Sequence, residues 1–252
     1  MRHYPLLGRG GAAQYPLART REWRLPQAES PGGEIWRTTD ATARRARWEL
    51  RYRDLSLEEA AAIEALFSET KGGLGTFLFL DPLDNLIRSS TDLTAAAWQK
   101  DPMVAVTPGS EGFTVTNGAQ AAGGVWQAVP LPASGAYSLS CRVRGVGEAR
   151  LAVGGVGRSF VVGAEWSRVH ILADTLAQAE TTTVRISTPA GGSMEVAEPQ
   201  LEAQAWPSPY KATTGRGGVY EAARFAQEGL TTTMEAPGRI AMRVVVESRL
   251  AG

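Results

Sequence analysis

Few residues in this chain have the type and spacing that chemistry needs. Asp81, Asp84 and Asn85 put oxygen-bearing side chains within one short stretch, the donor type that a calcium ion takes. The same residues also suit a strand-ending turn, because Asx side chains accept backbone N–H groups two residues on; the turn is the preferred reading. Two histidines, His3 and His170, and one cysteine, Cys141, cannot make a zinc or iron–sulfur ligand set. No Gly-x-Ser-x-Gly elbow or local Ser/His/Asp set occurs. Gly154-Gly155-Val156-Gly157 lacks the Lys-Ser/Thr of a phosphate loop and reads as a hairpin turn. Paired acids for glycoside hydrolysis leave no local spacing, and no pair recommends itself. The expectation is therefore no catalytic residue, no metal and no cofactor, and a protein that is not an enzyme.

Aromatic residues offer a second kind of chemistry, stacking on sugar rings. Trp98, Trp126, Tyr137, Trp166 and Trp206 are spread through the middle of the chain, where core packing is the commoner use of such residues. Trp126 stands apart, because Val125 and Val129 fall on the other face of its strand. Trp126 and Trp166 are the candidate glycan contacts. His170 alternates with Val169 and Ile171 and so points to solvent or to an interface. Cys141 lies in an alternating apolar run and reads as a buried, inert thiol.

These residues sit in a chain of 252 residues with 26 basic and 26 acidic side chains, 43% hydrophobic and 21% charged. That is globular composition, long enough for one or two domains with a proper core. A zero balance argues against nucleic-acid recognition, which shows as a basic stripe. Lys71, Lys100 and Lys211 are the only lysines, so nearly all of the 26 bases are Arg. Arg suits planar ion pairs at protein contacts, although a GC-rich genome writes the same bias. No apolar stretch of signal-peptide length follows Met1, and no run of 18 apolar residues occurs. The expectation is no membrane segment and a protein made in the cytoplasm, kept there or released by a route other than secretion.

The elements that would position these residues are mostly strands. Arg47–Arg53 alternates, with Trp48, Leu50 and Tyr52 on one face and charges on the other. Ser56-Leu57-Glu58-Glu59 is a capping box, and Ala60, Ile63, Leu66 and Phe67 follow at helical spacing, with Gly72-Gly73 as the stop. This predicts a helix over about 57–70 and then a strand over 76–80. From about 86, short alternating runs recur: 103–107, 112–116, 125–129, 136–144, 150–153, 159–162, 166–172, 182–187 and 194–198. Such a series predicts a β-sandwich or jelly roll, with 206–215 as an exit linker. Residues 239–247 alternate again, with Ile240, Met242, Val244 and Val246 inward. One or two strands cannot fold alone, so residues 1–82 and 218–252 are expected to form one discontinuous domain around an inserted sandwich of 85–215. Packing of 218–252 on the sandwich is the alternative. Residues 1–45 read as loop-like and as ordering on assembly.

Two stretches carry a resemblance. Trp48-Glu49-Leu50-Arg51-Tyr52, the helix ending Leu66-Phe67, Lys71-Gly72-Gly73 and Phe77-Leu78-Phe79-Leu80-Asp81-Pro82 together resemble the N-terminal domain of tailed-phage distal tail or minor tail proteins. Asn85-Leu86-Ile87-Arg88-Ser89-Ser90 with Trp98 downstream, closed by Gln200-Leu201-Glu202 and Tyr210-Lys211-Ala212-Thr213-Thr214-Gly215, is similar to the carbohydrate-binding-module-like jelly rolls of phage tail and tail-tip proteins. The resemblance implies a mainly β fold: a β-sandwich or barrel-type tail domain with one helix, plus an inserted jelly roll. It implies a virion structural protein, assembled in the host cytoplasm into the tail. There it would form a homo-oligomeric, commonly hexameric, ring at the distal end, between tail tube and hub or tip, with a peripheral sandwich. Tail tube, hub or tip and tape-measure proteins are the implied partners, with a host glycan as a further one. Trp36, Arg47, Arg51 and Arg53, in a region rich in Arg and aromatics, are the candidate oligomer-interface residues. A host-surface glycan-binding module and a tail-associated glycan-degrading enzyme are the alternatives.

Overall fold

The computed structural model describes residues 2–8, 13–38, 40–176 and 181–250. Among the described residues the fold is mainly β, 53% strand with one helix. The chain divides into two compact units. The first holds the described residues up to Pro5, then Ala13–Phe79, and the chain from Tyr220 on; the second holds Leu80–Val219 and the short stretch beginning at Leu6.

In chain order the first unit opens with β1 (Ala18–Arg24), β2 (Gln27–Glu29), β3 (Ile35–Arg37), β4 (Asp40–Leu55), α1 (Leu57–Glu69) and β5 (Phe77–Leu80). The sandwich follows with β6 (Gln99–Lys100), β7 (Val104–Pro108), β8 (Phe113–Asn117), β9 (Gly123–Val129), β10 (Ser134–Val153), β11 (Val156–Val162), β12 (Ser167–Thr175), β13 (Thr182–Thr188) and β14 (Ser193–Glu202). β15 (Val219–Phe225), β16 (Thr232–Ala236) and β17 (Arg239–Arg249) return to the first unit.

The first unit is a six-stranded sheet ordered β1-β4-β17-β15-β5, with β16 on β17. The alternation of β4 decides its two faces. Ala46, Trp48, Leu50 and Tyr52 are buried and meet Met242, Val244 and Val246 across the antiparallel register. Tyr4, Phe77, Phe79, Tyr220 and Phe225 complete an aromatic core, in which Trp48 and Tyr220 meet edge-on at 4.6 Å. Tyr4 and Tyr52 share their hydroxyls at 2.8 Å, so each buried O–H has a partner.

Helix α1 adds Ala60, Ile63 and Leu66 to this core. Its start is the capping box: Ser56 Oγ accepts the Glu59 N–H at 3.1 Å, and the Glu59 carboxylate accepts the Ser56 N–H at 2.9 Å. Its end differs from expectation in one detail. The left-handed position that closes the helix is Lys71, at φ 52°, and Gly72 follows at φ 65°. Gly72 N–H bonds Phe67 O and Lys71 N–H bonds Ser68 O, the two bonds of a Schellman cap.

The first 45 residues are not simply loop. β1 pairs along β4, and β2 and β3 form a hairpin. The loop-like pattern has a physical cause: an edge strand and a hairpin exposed on both faces need no apolar alternation, and almost every residue of these strands is exposed.

In the second unit β10 belongs to two sheets. Its first part pairs β12 and β14, and its last part, Gly147–Val153, pairs β11 and β13. Gly145 at φ 143° and Gly147 at φ 113° stand where the strand changes sheets, conformations that only glycine adopts at low cost. The runs 136–144 and 150–153 are therefore one bent strand. One sheet is β12-β10-β14-β8-β7 and the other is β11-β10-β13-β9-β6. Tyr137, Leu139, Cys141 and Val143 face Val125, Leu151, Val184 and Ile186 within the buried core, as a sandwich requires.

Candidate interaction surfaces

The face of the first-unit sheet away from the core is built by the charged half of each strand's alternation. Arg45, Glu49, Arg51 and Arg53 of β4 share it with Arg243 and Glu247 of β17 and Arg224 of β15, in the observed register. Arg51 and Arg243 both bond Glu49 Oε1, with their Nε atoms at 2.8 and 3.0 Å. Those two guanidinium groups, Arg51 first, hold the Glu49 carboxyl below the usual carboxylate range. Arg45 lies 3.8 Å from Glu247. Arg47, Arg53 and Arg224 make no ion pair among the described residues. Arg47, Arg51 and Arg53 are exposed on this face, and Trp36 is 64% exposed on β3. A cleft of about 310 Å3 opens here, lined by Arg45, Ala222, Arg224, Glu247, Ser248 and Arg249.

The ends of the sandwich are tied by buried polar side chains. The Asn85 amide donates to Pro199 O at 2.9 Å and to Lys211 O at 3.2 Å, while its Oδ1 accepts the Ile87 and Leu201 N–H groups, each at 3.0 Å. Ser90 Oγ meets Tyr210 Oη at 2.8 Å and accepts the Thr213 N–H at 2.9 Å. Glu202, 3% exposed, accepts from Lys211 Nζ, Ser208 Oγ, the Ser208 N–H and Gln200 Nε2. Burial pushes the Glu202 carboxyl up, but the Lys211 and Ser208 hydrogen bonds outweigh it and hold the group below its ordinary value. The Asn85–Ser90, Gln200–Glu202 and Tyr210–Thr214 stretches are thus one structural clip.

Asp81 Oδ1 accepts the Leu83 N–H at 2.9 Å and Asp84 Oδ1 accepts the Asn85 N–H at 3.1 Å. These oxygens serve the turn that leads into the sandwich. Among the described residues no group of His, Cys, Asp and Glu is placed to hold a metal ion. Cys141 is fully buried, which pushes its thiol up to about 12.

The aromatic residues separate into three environments. Trp98 and Tyr137 are core, the first donating Nε1–H to Ser89 O at 3.0 Å and the second its hydroxyl to Pro132 O at 2.7 Å. Trp126 is half-buried on the outward side of its sheet, directly across from Arg185 and Gln99. Trp166 is half-buried too, but the guanidinium carbons of Arg142 and Arg144 lie 5.0 and 4.8 Å from its ring centroid. Those arginines are held by Glu198 and Glu195, the second through two bonds of 2.8 and 2.9 Å. The Trp166 ring is therefore covered by protein cations.

Trp206 is the residue that sequence reasoning undervalued. It is 70% exposed and lies 5.6 Å, ring to ring, from half-buried His170. Together with Val156, Arg158, Leu172 and Ala205 they line a cleft of about 300 Å3 beside edge strands β11 and β12. The Trp206 carbonyl accepts Gln204 Nε2 at 2.7 Å, and Gln204 in turn reaches Glu202 at 3.2 Å, so the clip also sets this loop. An exposed indole beside an imidazole and a guanidinium offers an apolar plate with polar groups at its edge.

No family model and no curated protein matches this chain. Several solved structures do. The enzymatically active domain of bacteriophage CBA120 tailspike protein 4 is 12% identical at a TM-score of 0.39, covering 49% of this chain and 22% of that one. A xylan-binding domain from CBM 22 is 14% identical at a TM-score of 0.39, covering 51% of this chain and 100% of that one. TmCBM61, solved with β-1,4-galactotriose, is 19% identical at a TM-score of 0.33, covering 46% of this chain and 97% of that one. Among the described residues no helix is long and apolar enough to cross a membrane.

Proposed function

We propose that this chain is a structural component of a phage-type tail. It forms a homo-oligomeric ring at the distal end, between the tube and the hub or tip, and carries the sandwich as an inserted module. The observation that supports this most is the outward sheet face of the first unit. Arg47, Arg53 and Arg224 stand there without ion pairs among the described residues, while Trp36 is exposed on the hairpin of the same unit. Exposed Arg and Trp are the residue types that anchor protein contacts. The role is architectural and needs no reaction. Tube, hub or tip and tape-measure proteins are its partners in this reading, and the virion tail is its location. Size-exclusion chromatography with light scattering and negative-stain microscopy test it: rings are the expected result, and a strict monomer at high concentration would sink the reading.

A second reading concerns the sandwich, and the Trp206–His170 cleft favours it. The module binds a host-surface glycan, the sugar's apolar face lying on the exposed indole. A glycan array probed with the whole chain tests this reading. A blank array, together with phage adsorption unchanged by Trp206→Ala, would remove it.

A further inference from the structure

The β2–β3 hairpin is built but not buried. Ser30 orders its tip: the Glu34 N–H bonds Ser30 Oγ at 3.1 Å, and the Ser30 N–H bonds Glu34 O at 2.9 Å. Yet every residue of both strands is exposed. A two-stranded hairpin alone is marginal in water, and one exposed along both strands gains stability when a partner covers it. Its exposed apolar side chains say the same. Ile35 and Trp36 are 57% and 64% exposed, and Trp23 and Leu25, just before the hairpin in sequence, are 55% and 52% exposed. Large apolar side chains left exposed on a hairpin are the kind of group a protein contact covers.

The charges at the hairpin tip indicate which partner. Glu29 and Glu34 flank the turn, and neither makes an ion pair among the described residues. The cleft on the outward sheet face is their counterpart. Arg45, Arg224 and Arg249 line it against the single carboxylate of Glu247, and Arg224 has no ion pair among the described residues. A guanidinium fork takes a carboxylate in two parallel bonds.

We infer that the β2–β3 hairpin of one copy docks on the arginine cleft of the next, with Glu34 seated against Arg224 and Trp36 anchoring the apolar part of the contact. Donor and acceptor are different patches of the same unit, so the contact is heterologous. A heterologous contact closes into a ring when its rotation closes. The inference rests on the ring reading above and names the surfaces that make the ring.

The test uses the full chain. Glu34→Arg and Arg224→Glu each place like charges together and are expected to weaken self-association at least about tenfold in sedimentation velocity. The chain carrying both changes restores opposite charges and is expected to recover most of the loss. Trp36→Ala, at an exposed position, is expected to weaken association with circular dichroism unchanged. A wild-type chain that stays monomeric throughout would remove the ring reading and this contact together. A wild type that assembles, with both reversals harmless, would overturn the contact and leave the ring standing. Sensitivity to Arg224→Glu but not to Glu34→Arg would overturn the hairpin as occupant and assign the cleft to a different acidic segment of the neighbouring copy.

Discussion

Asn85 and Leu201 are 116 residues apart in sequence, yet Asn85 Oδ1 accepts the Leu201 N–H at 3.0 Å. The same amide also serves Ile87, Pro199 and Lys211, so one side chain holds the beginning of the sandwich to its last strand and to the chain leaving it. Asn85→Ala leaves buried backbone groups without partners and is expected to cost about 3 kcal/mol. Asn85→Asp keeps an acceptor for the two N–H groups but sets carboxylate oxygen against the Pro199 and Lys211 carbonyls. Its loss should therefore be smaller in mild acid, where a protonated carboxyl can donate. Chemical denaturation of the purified chain at two pH values measures both effects.

Glu202 makes the clip sensitive to acid. Its pKa in the folded chain lies below the ordinary carboxylate value, so its contribution is fully present above that ordinary value. The contribution is lost as pH falls through the lower folded value, because protonation breaks the Lys211 pair. Glu202→Gln is expected to reduce stability most at neutral pH, with the gap to wild type closing as pH falls below the ordinary carboxylate range and through the lower folded value. Denaturation midpoints for the two chains across the acid range check it; a gap that stays constant would mean the carboxylate charge is irrelevant to the clip.

What the sequence made legible was local. The capping box at Ser56 and Glu59, the stripe Ala60-Ile63-Leu66 and the alternation of Trp48, Leu50 and Tyr52 each signal within a few residues, and each corresponds to the element observed. The start of β4 at Asp40 and the pairing of β1 were hidden, because edge pairing demands no apolar pattern. β10 was split at Gly145 and Gly147, since glycines that bend a continuous strand look like glycines that end one. The clip was visible only as recurring letters; its hydrogen bonds join residues more than a hundred positions apart. Trp206 was grouped with core aromatics or with the linker, although its place in Trp206-Pro207-Ser208-Pro209, outside any alternating run, already argued for exposure.

The bend in β10 gives a separable backbone test. Gly147 sits at φ 113° with open space where a Cβ would be, so a substitution there meets conformational strain and no clash. Gly147→Ala is expected to destabilise by about 1–3 kcal/mol. Gly155 also has open space but no positive φ, and Gly155→Ala should be close to neutral or slightly stabilising. Thermal melts of the two variants compare them directly; equal melting temperatures would show that the bend does not need its glycine.

The three half-buried or exposed tryptophans of the sandwich give a functional prediction with internal controls. Trp206 presents its ring in a cleft with His170, whereas Trp166 is covered by Arg142 and Arg144, and Trp126 lies on the outward side of a sheet opposite Arg185. A sugar that uses the cleft should lose about tenfold or more in affinity with Trp206→Ala, corresponding to about 1.4 kcal/mol. Trp166→Ala removes the plate on which two arginines rest, so it should lower stability while leaving affinity nearly unchanged. Trp126→Ala should leave affinity unchanged, because Trp126 does not line the cleft. Titration of a glycan identified on the array, followed by tryptophan fluorescence and calorimetry, reads all three. Loss of binding with Trp126→Ala and not with Trp206→Ala would move the site from the cleft to the outward sheet face.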